Sequence, residues 1–409
     1  MTKYGVLDMT APATKLLPSL LVKSNTVTPL SIVKSFLLGS SILAVSSASL
    51  AATVPPPEMD NTAYVLMDYD TGAILAEKNA DQPLPPASLT KMMTSHIIEK
   101  KLMSGELKED EPVIMSENAW CRGTSDQSCM YVPVHKSASV IDMLRGIIIQ
   151  SGNDASKAMA EHIAGSEQAF AQLMNAEAKE LGMTNTNFVN ATGMPDENHH
   201  ASARDLAILA RAIIKQGGDY YKIYSEKEFT YNNITQGNRN ALLRTDPTVD
   251  GLKTGHTKSA GYGLVTTALR DGRRIVTVVT GTANDAARTE DSLKLLNWSY
   301  QNFETVELYQ PNQPIVTARI WEGEVDTVGL GLKRSVWVTV PRGQSGDIKP
   351  MAHYTQPLMA PVSQDQQVGT VAFSLGGQVI ANEPLLALNN VPQAGFMGRM
   401  IDKVRMWFN

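Results

Sequence analysis

The chain has 409 residues, of which 43% are hydrophobic, and it carries a formal net charge of −5. This length allows a sizeable core and is typical of about two or three domains. No long run of lysine or arginine occurs, so charge gives no reason to expect nucleic acid as a partner.

The N-terminal stretch has the features of an export signal. Lys34 precedes an apolar run over residues 36–45, and Ser49 and Ala51 fit the small-residue pattern of a signal-peptidase site. The run is too short and too serine-rich for a stable membrane span. We therefore expect residues 1–52 to be an export signal with an extended N-terminal region. A start codon assigned too far upstream would equally explain the residues that precede the signal.

A proline-rich spacer, "VPPPEMD", leads from this signal into the first regular elements. Two apolar runs around Asp70–Thr71–Gly72 predict a hairpin. Helical spacing then runs from Leu89 to about Leu102.

Cys121 and Cys129 are the two cysteines of the chain, and they flank the polar stretch "CRGTSDQSC". In an exported protein such a pair favours a local disulfide, and free thiols are the alternative. A zinc site is disfavoured because no histidine pair at ligand spacing accompanies them. We expect no metal site.

The middle of the chain alternates helices with strands. The stretch 139–165 predicts two helices with a break at Ser151–Gly152–Asn153, and Gly165 is the expected stop of the second. The later patterns predict a helix over 201–218, strands over 249–257, 261–272 and 273–282, and a helix over 286–303.

From about residue 304 the sequence changes to alternating runs punctuated by proline and glycine. "SVWVTV" and a hairpin around Gly376–Gly377 indicate a small, all-β, sandwich-like domain over residues 304–390. Residues 391–409 predict an amphipathic helix. Its apolar face consists of Phe396, Met397, Met400, Ile401, Val404, Trp407 and Phe408. Aromatic residues opposite cations favour a membrane surface as partner, and docking on its own protein is the alternative.

The first candidate for chemistry is the pair Ser88 and Lys91 in "PPASLTKMMT". At this spacing the two side chains share one helix face. A buried lysine has a lowered pKa and can take the proton of a nearby serine. A serine cap beside a solvated lysine is the structural alternative, and this motif alone does not exclude it.

Two further motifs carry matching chemistry. Ser151 can pass a proton in the break between two helices, and the Asn153 amide can both donate to and accept from a substrate amide. In "KTGHT", Lys253 adds positive charge and Thr254 a hydroxyl. Gly255 would let a substrate backbone approach the strand closely. Alone, these motifs would be a capped turn and an ordinary edge strand.

The three motifs in this order resemble the penicillin-recognising serine acyltransferases. Within that group, "PPASLTKMMT", "GIIIQSGNDA", "VDGLKTGHT", "AGYGLV" and "KLLNW" are most similar to the D-alanyl-D-alanine carboxypeptidases, the low-molecular-mass penicillin-binding proteins. The resemblance runs from about residue 60 to the C-terminal helix. It implies an α+β fold with an antiparallel sheet flanked by helices, a second, smaller all-β domain and a C-terminal amphipathic helix. Residues 56–303 would be the catalytic domain.

The resemblance also implies roles for individual residues. Ser88 would be the acylated nucleophile, Lys91 its general base and Ser151 part of the proton path. The expected substrate-binding residues are Asn153, Lys253, Thr254, Gly255, His256 and Arg288. The backbone N–H groups of Ser88 and His256 would form the oxyanion hole, and Arg288 would engage the substrate carboxylate. A surface arginine on a helix is the alternative for Arg288.

The implied reaction removes the terminal D-alanine from peptidoglycan stem pentapeptides through an acyl-enzyme, without a cofactor. β-Lactam antibiotics would acylate the same serine. The expected location is the periplasmic face of the cytoplasmic membrane, with peripheral attachment through the C-terminal helix. The sequence leaves a homodimer open.

Other functions fit less well. A class A β-lactamase needs a deacylating glutamate, and Glu197 is the one obvious candidate, in surroundings that lack an E-x-x-L-N pattern. Endopeptidase relatives usually lack the C-terminal half. A catalytically silent wall-binding module would not need intact motifs. A metallopeptidase is disfavoured because no H-E-x-x-H occurs, and adjacent His199 and His200 cannot form a same-face pair on a helix.

Overall fold

The computed structural model describes residues 55–122 and 127–408, and of residues 3–8 the backbone alone. The chain divides into two compact units: residues 54–301, and residues 302–409 together with the N-terminal segment. Apart from the strand at residues 3–8, the predicted export signal over residues 1–52 lies outside the described residues.

The strands are β1 (Lys3–Asp8), β2 (Ala63–Asp68), β3 (Ile74–Lys78), β4 (Pro112–Ile114), β5 (Ser137–Ser139), β6 (Glu228–Tyr231), β7 (Ile234–Gly237), β8 (Val249–Thr257), β9 (Gly261–Arg270), β10 (Arg273–Thr282), β11 (Phe303–Tyr309), β12 (Pro314–Trp321), β13 (Thr327–Gly331), β14 (Val336–Pro341), β15 (Lys349–Gln356), β16 (Leu358–Met359), β17 (Gln367–Leu375) and β18 (Gln378–Ala387). The helices are α1 (Lys91–Ser104), α2 (Val140–Ile148), α3 (Asn153–Ala164), α4 (Glu167–Leu181), α5 (Ala203–Gln216), α6 (Leu242–Thr245), α7 (Asp285–Asn302) and α8 (Phe396–Trp407).

A five-stranded antiparallel sheet in the order β3-β2-β10-β9-β8 forms the centre of the larger unit. β2 is buried along its whole length, as are the middle parts of β9 and β10, so both faces of the sheet are covered. α5 packs against β2 and β10. The Tyr300 hydroxyl of α7 donates to the carbonyl oxygen of Ala268 in β9 at 2.7 Å. The predicted class, an antiparallel sheet flanked by helices, is confirmed.

Most predicted elements of this unit are present. The hairpin around Asp70–Thr71–Gly72 is β2–β3, and the three predicted strands are β8, β9 and β10. The break between the two predicted helices separates α2 from α3, and Gly165 ends α3 with a φ of 77°. At such a positive φ a residue with a Cβ would be strained.

The sequence reasoning missed several elements of this unit, among them α4 and the hairpin β6–β7. α4 has readable signals, because the Ser166 hydroxyl accepts a hydrogen bond from the Ala169 N–H and Gly182 ends the helix at a φ of 80°. The hairpin β6–β7 turns through Asn232 and Asn233, both at positive φ. Asparagine tolerates that backbone region, so the asparagine pair in the sequence could also have predicted this turn.

The smaller unit is built mainly from strands. A seven-stranded sheet runs in the order β1-β15-β17-β18-β13-β12-β16, and β11 pairs with β14. The predicted hairpin around Gly376–Gly377 is β17–β18. A second, sheet-rich domain with a C-terminal helix is therefore confirmed.

α8 contacts this unit through its polar side. The buried Asp402 carboxylate accepts a hydrogen bond from the backbone N–H of Glu322 at 2.8 Å. On the apolar face Trp407 is 89% exposed and Phe408 83%. No helix in the described part of the chain combines the length and the apolar character that crossing a membrane requires.

α1 is enclosed on all sides, since every residue from Lys91 to Glu99 is buried. It packs against α2, α3, α4 and α5. The Glu99 carboxyl accepts a hydrogen bond from the Tyr224 hydroxyl at 2.7 Å, and its second oxygen has no partner within the described residues. Burial raises the pKa of Glu99 to about 8, so this carboxyl is mostly protonated at neutral pH.

The unfolded chain ionises Glu99 near its ordinary pKa, whereas the folded protein keeps the proton up to pH 8. The wild type should therefore lose stability as the pH rises from about 4.5 to 8, relative to a Glu99→Gln variant. Chemical denaturation at several pH values should show the difference in unfolding free energy changing by about 1 kcal/mol or more. The exposed Glu180 on α4 provides a control, Glu180→Gln. Parallel stability curves for Glu99→Gln and wild type would contradict the assignment.

Candidate active site

A 3₁₀ turn, Ala87–Thr90, holds Ser88 immediately before α1. The predicted helix was expected from Leu89, but α1 begins at Lys91 because this tighter turn precedes it. A 3₁₀ turn has three residues per turn, so side chains at i and i+3 eclipse each other. This geometry places the Ser88 hydroxyl 3.2 Å from Lys91 Nζ.

Lys91 is fully buried and has further oxygen neighbours. Its Nζ lies 2.7 Å from Oδ1 of Asn153 and 2.6 Å from the carbonyl oxygen of Thr192. Burial is the main cause that lowers the pKa of Lys91 to about 7, and the charge of Arg239 acts in the same direction. The carboxylates of Asp154 and Glu167 oppose the shift. In a large fraction of the protein molecules, Lys91 is therefore a neutral amine at neutral pH.

The oxygen neighbours decide where the lone pair of that amine points. A neutral amine has two hydrogens, and Asn153 Oδ1 and Thr192 O can accept both. The lone pair is then directed at the remaining neighbour, the Ser88 hydroxyl. This arrangement suits removal of the serine proton.

Ser151 and Asn153 lie in the connection between α2 and α3. Ser151 is buried at a φ of 60°, and its hydroxyl has no hydrogen-bond partner among the described residues. The Asn153 backbone N–H donates to the Ser128 carbonyl at 2.8 Å. The asparagine amide thus reaches Lys91 from a backbone that is fixed to the 127–131 segment.

β8 brings Lys253, Thr254 and Gly255 to the turn that holds Ser88. Lys253 is buried, and burial followed by the charges of nearby cations lowers its pKa well below the usual value. A Cβ at Gly255 would lie 3.0 Å from the Pro86 carbonyl oxygen and 3.0 Å from Leu89 Cγ. The side of Gly255 on which a Cβ would stand thus faces the protein's own turn. Glycine lets the strand and the turn lie this close together. Gly255 also lines the cleft beside Ser88, and the approach of a substrate backbone to it stays a prediction.

Arg288 is not a surface residue, because it is 5% exposed. Its guanidinium donates to the carbonyl oxygens of Gly255 and Gly263, at 3.1 and 3.3 Å, and pairs with Asp285. The alternative of a surface arginine on a helix is therefore wrong. His256 is exposed, and its ring stacks on Tyr262 with centroids 3.9 Å apart.

These elements surround one cleft of about 360 Å³. Its lining residues are Ser88, Gln127, Ser128, Arg239, Thr254, Gly255, His256, Tyr262 and Arg288. No carboxylate belongs to this lining, and two arginines do, so the cleft favours an anionic group. Glu197, the glutamate considered for a lactamase, is exposed and does not line the cleft.

Arg239 and Asp154 were missed by the sequence reasoning. Arg239 enters the cleft from the segment before α6 and donates to the Ser128 hydroxyl at 2.7 Å. Asp154 accepts the backbone N–H groups of Met130 and Tyr131 at 2.7 and 2.8 Å. The adjacency of Asp154 to the Ser151–Asn153 motif was a usable signal, whereas nothing local marked Arg239.

Cys121 and Cys129 are joined by a disulfide, with Cα atoms 6.2 Å apart. Cys129 directly follows Ser128, which lines the cleft. The described residues contain no group of three or more His, Cys, Asp or Glu side chains arranged to hold a metal ion.

Comparison with known proteins fits this geometry. Residues 50–284 match the family model for D-alanyl-D-alanine carboxypeptidase, and residues 303–393 match that for the C-terminal domain of penicillin-binding protein 5. D-alanyl-D-alanine carboxypeptidase DacC of Escherichia coli is 41% identical over 93% of this chain and 97% of its own.

Two solved structures are also similar. Penicillin-binding protein 5 from Haemophilus influenzae has a TM-score of 0.79 at 41% identity, covering 83% of this chain and all of its own. Penicillin-binding protein D2 from Listeria monocytogenes, in a cefotaxime-bound form, has a TM-score of 0.56 at 28% identity and covers 60% of this chain and all of its own. The chain belongs to the D-alanyl-D-alanine carboxypeptidase family of serine peptidases.

Proposed function

We propose that this protein removes the terminal D-alanine from peptidoglycan stem pentapeptides, with Ser88 as nucleophile and Lys91 as general base. The observation that carries the proposal is the Lys91 amine, which is buried, lies 2.7 and 2.6 Å from two oxygens that can accept its hydrogens, and lies 3.2 Å from the Ser88 hydroxyl. A solvated surface lysine would be charged at neutral pH and could not take a proton.

The reaction follows from these positions. Ser88 Oγ attacks the carbonyl between the two D-alanines as its proton passes to Lys91 Nζ. The backbone N–H groups of Ser88 and His256 are the proposed donors to the developing oxyanion. Ser151, whose buried hydroxyl is unpaired in the described structure, passes a proton to the leaving amine. Water then hydrolyses the acyl-enzyme.

Recognition of the substrate uses the positive side of the cleft. Thr254 and Arg239 line it directly, and Arg288 lines it while holding the Gly255 carbonyl. We assign the terminal carboxylate of the pentapeptide to this side, because a guanidinium suits a planar carboxylate. We assign Lys253, which is buried behind this side, to the same recognition of the carboxylate, and the Asn153 amide to the peptide.

β-Lactams should react at the same serine. Relatives are named penicillin-binding proteins, and one has been solved in a cefotaxime-bound form. The strained amide of a β-lactam is open to the same attack, and the ring-opened product stays bound to the serine. We therefore infer a covalent adduct on Ser88.

We further infer the organisation around this site. Residues 1–52 are assigned as the export signal, 56–303 as the catalytic domain, 304–390 as a sandwich-like domain and 391–409 as a membrane-surface anchor. The protein would then act on the periplasmic face of the inner membrane. The exposed apolar face of α8 supports the anchor.

Replacing Ser88 by alanine should abolish benzylpenicillin labelling and lower D-alanine release by at least about 10³-fold, because the proposed acyl bond forms on this hydroxyl. Intact-mass analysis detects the adduct, and amino-acid analysis detects the product. The exposed Ser259, in the turn after β8, provides the control Ser259→Ala. Labelling of a folded Ser88→Ala protein would contradict the assignment. A wild type without any adduct or turnover would favour the silent module.

The membrane assignment has a matched pair of variants. Val404 on α8 is 55% exposed, and Val325, elsewhere in the smaller unit, is 52% exposed. Val404→Asp should weaken co-sedimentation with vesicles containing anionic lipid by about tenfold, since one buried valine is lost from the lipid surface. Val325→Asp should not change it, and both variants should release D-alanine from soluble peptide normally. Equal vesicle binding by both would contradict anchoring through α8.

A further inference from the structure

His199 is buried beside the 3₁₀ turn that holds Ser88, and it has no role in the reaction as described so far. It follows the segment 189–194, which lies against α1 and the turn before it. This segment supplies Thr192 O to Lys91, and Ala191 O accepts from the Thr94 hydroxyl at 2.7 Å.

The segment 189–194 has little freedom to move toward the turn. The Asn190 side chain accepts the backbone N–H groups of Thr192 and Gly193, at 3.1 and 2.7 Å. Gly193 has a φ of 82°, and a Cβ there would overlap the carbonyl oxygen of Ala87. The segment thus rests directly on the 3₁₀ turn that holds Ser88.

The ring of His199 connects the segment 189–194 to the turn that holds Ser88, and it does so through both of its nitrogens. Nδ1 lies 3.1 Å from the backbone N–H of Val189, so Nδ1 must accept. The proton of a neutral ring is then on Nε2, which donates to the Thr90 hydroxyl at 2.8 Å. One imidazole therefore connects the start of the segment to the residue immediately before Lys91.

The ring is neutral under ordinary conditions. Burial is the main cause that lowers the pKa of His199 to about 4. Among the charged groups that face it, Asp196 favours protonation, while His200 and Lys91 oppose it. The accepting role of Nδ1 is consequently kept across the neutral range.

We propose that His199 is a positioning residue, which holds Thr192 O against Lys91 Nζ and so directs the amine lone pair at Ser88. This inference rests on the proposed role of Lys91 as the base. If Thr192 O moves away, one amine hydrogen loses its acceptor. The amine can then rotate and present that hydrogen to the Ser88 hydroxyl. Proton removal slows, while the cleft that binds the ligand keeps its lining.

The test compares His199→Leu with His199→Gln. Leucine removes both nitrogen functions, whereas a glutamine amide can still accept from the Val189 N–H and donate to the Thr90 hydroxyl. Benzylpenicillin acylation should be followed by intact mass over a range of drug concentrations. This separates the acylation rate constant from the dissociation constant of the non-covalent complex.

We expect the acylation rate constant of His199→Leu to fall by about 10- to 100-fold with little change in the dissociation constant. His199→Gln should recover most of the rate. His200→Leu, at the adjacent half-buried histidine, should acylate like the wild type. Thr90→Val removes the acceptor of the Nε2 proton from the other side and should slow acylation as well.

The inference is overturned if folded His199→Leu acylates at the wild-type rate, or if its only change is a lower melting temperature. It is also overturned if His199→Gln is as slow as His199→Leu. If His199→Leu does not fold, Thr90→Val decides, and a wild-type rate constant there rejects the proposal. Failure of the wild type to form any adduct on Ser88 would instead reject the proposed function.

Discussion

The buried amine of Lys91 is the constraint on which the rest of the site depends. A charged ammonium loses its hydration when it is enclosed, so burial lowers its pKa to about 7 and yields a base at neutral pH. Enclosure also requires hydrogen-bond acceptors, and Asn153 Oδ1 and Thr192 O provide them. When these two oxygens accept both hydrogens of the neutral amine, its lone pair is directed at Ser88.

Several features of the fold follow from this arrangement. α1 must be surrounded by other helices, and it packs against α2 to α5. The turn at Ser88 must lie against β8 and against the 189–194 segment, and glycines at 255 and 193 allow both contacts. Asp154 accepts hydrogen bonds from the backbone N–H groups of Met130 and Tyr131, and this holds the segment 127–131 beside Asn153. The cleft that results is lined by cations and no carboxylate, which suits a substrate with a terminal carboxylate.

The sequence predicted the parts of this site that depend on local spacing. Three motifs can each be recognised within a few residues: Ser88 with Lys91, the break at Ser151–Asn153, and the strand with Lys253. The structure brings them together. The Thr192 carbonyl could not be found in this way, because a backbone acceptor has no residue signature. Arg239 reaches the cleft only through tertiary packing. The contact between Gly255 and the turn at Pro86 could not be predicted either, because periodicity does not reveal which neighbour packs against a strand. α4 was readable from its serine cap and glycine stop.

The most direct test of the account is the pH dependence of the rate at which benzylpenicillin acylates the wild-type protein. If neutral Lys91 is the base, the rate should rise with pH through a midpoint near 7 and then level off, because only the deprotonated amine accepts the serine proton. A midpoint near 10, the ordinary range of lysine, would show that Lys91 is not held as described. A rate independent of pH between 5 and 9 would show that another group removes the proton.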